Sequence, residues 1–204
     1  MPEALPFSQA CENNRGPILE VLQQHLLQPG RLLEIGSGTG QHAVWLAPRL
    51  PHIQWQPSDL PANLPGIRAW MAHQPAENIA APLPLDVESD WPDGPFDYIY
   101  TANTFHIMSE DQVLICLQKL TAKLTEHGML LVYGPFRYQG QHTADSNARF
   151  DTMLRQRDPL SGIRDYEWIC DQATSFGLRP VADHPMPANN HTLVFRKKPV
   201  AGEG

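Results

Sequence analysis

The chain has 204 residues, 42% of them hydrophobic, and 15 Lys and Arg stand against 22 Asp and Glu for a formal net charge of −7. One domain over residues 1–204 with a full apolar core is expected at that length. The acidic balance disfavours a broad nucleic-acid surface, and no apolar run reaches membrane-spanning length.

The first predicted element is a helix opening at Gly16-Pro17, with Pro17 at its first position and Ile18, Leu22 and Leu26 on one face. Pro29-Gly30 ends it. A strand follows over 31–35 and runs into Gly36-Ser37-Gly38-Thr39-Gly40, and Gln41 to Ala47 reads as a helix. Ile53 to Gln56 suggests a second strand that closes at Pro57-Ser58-Asp59. A helix over 61–73 is expected to be interrupted at Pro65-Gly66, and residues 79–86 form a proline-rich third strand. Phe96 to Thr101 is the fourth strand. Ser109 and Gln112 form a capping box ahead of a helix with Val113, Leu117, Leu120 and Leu124 on one stripe.

Met129 to Gly134 is the most apolar strand. Residues 135–164 are polar and carry no clear strand. Asp165 to Gly177 looks helical, and Arg179 to Asp183 and Thr192 to Arg196 give two last strands. Alternating strands and helices predict an α/β fold, a mostly parallel doubly wound sheet with helices on both faces. The short connection between the last two strands makes that pair antiparallel. This order resembles the seven-stranded, Rossmann-like sheet of class I methyltransferases.

The glycine spacing separates ligand classes. A dinucleotide loop reads G-x-G-x-x-G, because a pyrophosphate sits on the helix N-terminus. Here the third glycine comes one residue early, at Gly40, and Gln41 takes the expected place. Glu34 puts negative charge beside the loop, which suits a cationic ligand without phosphate. S-adenosyl-L-methionine, with S-adenosyl-L-homocysteine as product, has that character. The run Glu34-Ile35-Gly36-Ser37-Gly38-Thr39-Gly40 resembles motif I of class I methyltransferases. An NAD-dependent oxidoreductase is disfavoured by the same spacing.

Ligands of such sheets bind at the carboxyl ends of the strands, so the residues there are the candidates. Glu34, Gly36, Ser37, Gly38 and Gly40 belong to the first strand and its loop. Asp59, nineteen residues past Gly40, is placed to accept both ribose hydroxyls, with Leu60 beside it; an Asx turn or helix cap is its competing role. Asp86 is placed to accept the adenine amine and Val87 to donate its amide. Asn103 and His106 end the fourth strand, facing the cofactor's methionine end, and Asn103 is a candidate cofactor contact. His106 has a near-neutral unperturbed pKa and is a candidate general base, or a group that only positions substrate. Tyr133, Gly134 and Phe136 end the fifth strand. The segment 135–164 is long enough to be a substrate lid, with Asn147, Asp151 and Arg155 facing the acceptor. Asn189 and Asn190 precede the last strand and are candidates to read a small polar substrate. The nine histidines are scattered, without H-E-x-x-H or a cysteine cluster, so no metal site is expected.

Several stretches together resemble one family. They are Asn14-Arg15 before Pro17-Ile18-Leu19, Leu33 to His42, Trp55 to Asp59, Ala102 to Ile107, Tyr133 to Phe136, Asn147 to Asp151, Gly162 to Asp165 and Pro187 to Asn190. The chain is similar over nearly its whole length to the DUF938 (UPF0585) family of methyltransferase-like proteins, related to methyltransferase-like protein 26. Cys11-Glu12-Asn13 departs from it, where a more basic run is expected. The resemblance implies the class I fold and use of S-adenosylmethionine, with Arg15 among the cofactor contacts. It supplies no acceptor.

These readings combine into a S-adenosylmethionine-dependent methyltransferase acting on a small-molecule acceptor, with a non-catalytic adenosyl-ligand-binding protein as the alternative. Cys11, Cys116 and Cys170 are odd in number and form no C-x-x-C pair, and Met1 to Ala4 lacks a basic n-region, so a cytoplasmic protein is expected. A flexible tail is expected over 199–204. Neither the acceptor atom nor the oligomeric state is legible.

Overall fold

The computed structural model describes residues 5–199; residues 200–204 of the expected tail lie outside them. Seven strands build the main sheet: β1 (Gly30–Ile35), β2 (Ile53–Asp59), β3 (Leu83–Pro84), β4 (Phe96–Ala102), β5 (Leu124–Gly134), β8 (Leu178–Met186) and β9 (Asn190–Lys197). Two further strands, β6 (Arg137–Tyr138) and β7 (Gln141–His142), make a separate small hairpin. The main sheet runs in the order β3-β2-β1-β4-β5-β9-β8. Its first five strands are parallel, and β9 is antiparallel to both β5 and β8. This is the predicted mostly parallel sheet with an antiparallel last strand.

Strand alternation sorts the core into two layers. Leu33, Ile35, Ile99, Leu130 and Val132 face helices α4 (Glu110–Lys123) and α6 (Tyr166–Ser175). Leu32, Tyr98, Tyr100, Leu131 and Tyr133 face α1 (Gln9–His25) and α2 (Gln41–Leu46). The chain order reverses between β1 and β4, so the loops after those strands diverge and leave a crevice at their carboxyl ends. The capping box is present: Ser109 Oγ accepts from Gln112 N at 3.1 Å, and Gln112 Oε1 accepts from Ser109 N at 3.0 Å.

Four local expectations are corrected. Helix α1 begins at Gln9, not at Pro17, because Ser8 Oγ caps it by accepting from Cys11 N. Pro17 therefore lies inside the helix, where it lacks one ladder donor. Helix α3 (Leu64–His73) runs through Pro65-Gly66 without a break, since Pro65 falls in its first turn, where an N–H has no partner to lose. The third strand shrinks to Leu83–Pro84, with Ile79 making only a bridge to Trp55; its prolines remove ladder donors and confine it to the sheet edge. The polar 135–164 segment is ordered as the β6-β7 hairpin and a 13-residue helix, α5 (Asp145–Arg157). Among the described residues no helix is long and apolar enough to cross a membrane.

Candidate active site

A cavity of 1040 Å³ opens at the carboxyl ends of β1 to β5, between the first half of α1 and helix α5. Gly36, Ser37, Gly38 and Thr39 form one wall, and Asp59, Leu60, Asp86 and Val87 continue it at the ends of β2 and β3. The opposite wall carries Asn103, His106, Tyr133, Asn147 and Asn190. Ser146, Asn147 and Phe150 of α5 therefore share one cavity with the glycine loop.

The three loop glycines have positive φ and differ in what a side chain would meet. A Cβ on Gly36 would lie 2.5 Å from Thr104 Cγ2, and one on Gly40 would lie 2.9 Å from Ile67 Cα. Both glycines allow close packing of the protein on itself. A Cβ on Gly38 would meet nothing within 4 Å, and Gly38 lines the cavity. Its missing side chain leaves room for a ligand.

Asp59 sits beside that opening. One carboxylate oxygen accepts from Gly38 N at 2.6 Å, and the other from Leu60 N at 2.7 Å and Asn63 Nδ2 at 2.8 Å. A carboxylate offers about four acceptor positions, so the turn uses most of them and leaves room for one further donor. The expected contact to both ribose hydroxyls requires one of these partners to yield. Asp86 takes the Asx-turn geometry, accepting from Glu88 N at 2.9 Å.

Glu34 departs from its expected place. It is 2% exposed and lies below the loop, where Oε2 accepts from Trp55 Nε1 and Ser37 Oγ, both at 2.9 Å. Burial pushes its carboxyl up to about 7, against the pull of those two donors. It holds Ser37 and the turn in place and is not a free charge at the cavity wall.

His106 lies on the loop after β4, buried, with its ring edge-on to Phe150 at 5.2 Å. Burial, reinforced by Arg164, lowers its pKa to about 4, so the imidazole is neutral at physiological pH. The near-neutral value expected from its residue type does not survive desolvation. Arg164 fastens this loop from behind: its guanidinium donates to the carbonyls of Phe105, Met108 and Leu160 and meets Glu110 at 3.3 Å. Gly162 N also donates to the His106 carbonyl at 2.9 Å.

Six other expected site residues face away. Phe136 is 1% exposed in the core beneath α4 and α6, because strand alternation turns it opposite to Pro135. Asp151 binds Ile163 N at 2.7 Å and Arg155 Nε at 3.2 Å, so this pair ties α5 to the 158–164 loop. Asn189 offers its main-chain carbonyl to Asn147 Nδ2 at 3.0 Å, orienting that amide. Arg15 pairs with Glu12 at 2.7 Å and stacks over Trp45. Gly40, as above, packs on Ile67.

Residues of α1 and α2 that sequence reasoning left out complete the site. Cys11 and Asn14 line the cavity, and Asn14 Oδ1 meets His42 Nε2 at 2.7 Å. The Tyr133 hydroxyl faces the side-chain amides of Asn14 and Asn190. Asn103, Ala188 and Asn189 have φ near +57, a conformation costly for a non-glycine residue, and all three adjoin the cavity.

Buried His42 and His106 are both held near pKa 4 from 6.5, while Glu34 is raised from 4.5 to about 7. Between pH 4.5 and 6.5 the unfolded chain gains two histidine protons and the folded chain one carboxyl proton. The net difference is about one proton, so stability should rise with pH across that window by about 1.4 kcal/mol per unit. Urea midpoints measured at the two ends test this, and His106→Gln should flatten the slope. Equal midpoints would contradict the buried, neutral histidines.

The topology and the crevice define a class I methyltransferase fold. Solved structures similar to the chain include the mitomycin 7-O-methyltransferase MmcR, at 18% identity and TM-score 0.79 over 92% of this chain and 54% of that one. They also include an O-methyltransferase family protein from Burkholderia thailandensis (15%, TM-score 0.80, 95% and 58%) and human N-acetylserotonin methyltransferase in complex with SAM (16%, TM-score 0.78, 94% and 53%). The chain thus spans little more than half the length of these proteins, and at such identities the likeness is one of fold. Residues 5–197 match the family model described as a protein of unknown function, DUF938. The chain belongs to the DUF938 family.

Proposed function

We propose that this chain is a S-adenosylmethionine-dependent methyltransferase acting on a small-molecule acceptor. The observation that carries the reading is the two-walled cavity. One wall has the open cradle at Gly38 with Asp59 beside it, and the other has neutral polar side chains around His106. Its 1040 Å³ reaches the top of the roughly 300–1,000 Å³ range of ligand sites, which suits a cofactor and a compact acceptor together. The SAM- and SAH-bound neighbours of the same fold support the cofactor class.

The residues present fit that cofactor. Gly38 gives its backbone room, Asp59 retains an acceptor position for a ribose hydroxyl, and Asp86 and Val87 line the place expected for the adenine. When bound, S-adenosylmethionine supplies a methyl group already activated by its sulfonium. The chain's part is to hold the acceptor in line and exclude water. Helix α5, with Asn147 and Phe150, covers the acceptor side as the lid, and the Asp151–Arg155 pair anchors it. Free Cys11, Cys116 and Cys170 fit a reducing compartment such as the cytoplasm.

Asp59→Ala should weaken S-adenosylhomocysteine binding by about 1–3 kcal/mol, the range for a hydrogen bond to a charged group. It should also lower the Tm, because the Gly38 and Leu60 amides lose their acceptor. Calorimetry on the folded variant reads both, and an unchanged Kd would leave Asp59 as a turn residue. The reading as a whole is tested with methyl-labelled S-adenosylmethionine and a small-molecule extract. Label should pass to an extract component, and cofactor binding without any transfer would favour a non-catalytic binding protein.

A further inference from the structure

Gly134 ends β5 between Tyr133 and Pro135, which both line the cavity, and is a glycine that the fold does not require. Its φ is not positive, no bulge marks its pairing with β9, and a Cβ there would touch no protein atom closer than 3.8 Å. Glycine inside a strand weakens it through backbone entropy, and without a bulge or bend it marks a close approach by a ligand. The two atoms that such a Cβ would meet are His106 Nδ1 at 3.8 Å and Asn103 Oδ1 at 3.9 Å. Neither side chain has a hydrogen-bond partner for these atoms among the described residues. Two polar atoms thus converge over an empty glycine.

The charges around the cavity add a second constraint. Among the described residues its charged lining side chains are Asp59 and Asp86, both on the wall assigned to the cofactor. Arg164, whose charge acts on His106, is committed to three carbonyls and Glu110 and does not line the cavity. An anionic acceptor would lose its water with no cation to replace it. A cationic acceptor would be pressed against the cofactor's sulfonium.

We propose that Gly134, Asn103 and His106 form the seat of the acceptor's nucleophilic group, and that the acceptor is an uncharged molecule presenting a neutral O–H, S–H or N–H group whose heteroatom keeps a lone pair. This rests on the methyltransferase reading above. The X–H group donates to Asn103 Oδ1 or to His106 Nδ1, over the space that Gly134 leaves. In the transfer the X lone pair forms the X–CH₃ bond. The CH₃–S bond breaks, and its electron pair returns to sulfur as a neutral thioether. The X–H proton, made acidic by the new bond, passes to the His106 imidazole and then to solvent, or stays on nitrogen when X is an amine.

The test uses the full chain and methyl-labelled S-adenosylmethionine. A small-molecule extract is separated at neutral pH into components retained by an anion exchanger, by a cation exchanger, and by neither. Label should enter the unretained components, and mass-spectrometric fragmentation of the labelled product then identifies X as oxygen, sulfur or nitrogen. Gly134→Ala should bind S-adenosylhomocysteine as the wild type does and lose at least about tenfold in transfer, the lower bound for one misfitting methylene. Label appearing only in a charged pool, or Gly134→Ala transferring at the wild-type rate, would overturn the proposal while leaving the methyltransferase reading intact. Loss of cofactor binding in Gly134→Ala would overturn it too, by placing Gly134 on the cofactor wall. Cofactor binding without transfer from any pool would instead sink the methyltransferase reading, and the seat with it.

Discussion

Gly38→Val is expected to abolish binding of S-adenosylmethionine while leaving a folded chain. The φ of Gly38 is +58, so a β-branched residue there is strained by about 1–3 kcal/mol, out of a typical stability of about 5–15 kcal/mol. Unlike Gly36 and Gly40, Gly38 has no protein atom in the way of a side chain. The valine methyls would instead fill the cradle, and the Gly38 N–H contact to Asp59 would shift with the backbone. A loss of at least about 2.7 kcal/mol, or 100-fold in Kd, follows. Circular dichroism and calorimetry read folding and binding separately. Gly40→Val is the control: it meets the Ile67 backbone and should unfold the loop rather than block it selectively.

His106→Ala should cost on the order of 10²-fold in transfer rate, at the low end of general-base contributions, because a base of such low pKa helps less at neutral pH. Cofactor affinity should hold. The midpoint of the pH dependence separates this from an ordinary histidine. With its pKa lowered to about 4, His106 is neutral throughout the physiological range, and its contribution to the rate should be level above pH 6 and fall only as acid approaches that value. A titration of the rate centred near 6.5 would contradict the buried, neutral imidazole. A loss of only a few fold would reduce His106 to positioning the acceptor.

Much of this architecture is legible in the chain itself. The parallel half of the sheet is announced by apolar runs that, the fourth excepted, end in a glycine or an acid, and Asp59 and Asp86 fall at the cavity because strand ends converge there. The antiparallel last pair follows from connection length alone. Helix α5 escapes because its buried positions, Asn147, Asp151 and Leu154, keep helical spacing but are mostly polar, and a search for apolar period cannot see such a stripe. The start of α1 is hidden for a similar reason: Gln9 to Arg15 is polar because it borders the cavity and the glycine loop.

Within the site, sequence neighbourhood misleads where side-chain direction decides. Phe136 follows cavity-lining Pro135 but points into the core, and Asp151 and Arg155 follow Asn147 on α5 yet serve to tie that helix down. Asn14 and His42 fall in stretches that carry the family resemblance, but nothing there marks a role, and only the packing of α1 on α2 brings them to the wall. The place of Glu34 before the glycines is legible, but its raised pKa is not, since burial against Trp55 is a tertiary fact.

The central claim is that the glycine loop and Asp59 hold an adenosyl cofactor. Calorimetric titration of the purified chain with S-adenosylhomocysteine, run beside NAD, tests it most directly. The account predicts saturable binding at one site, absent in Gly38→Val, and no heat with NAD. Saturable NAD binding with no response to S-adenosylhomocysteine would contradict it.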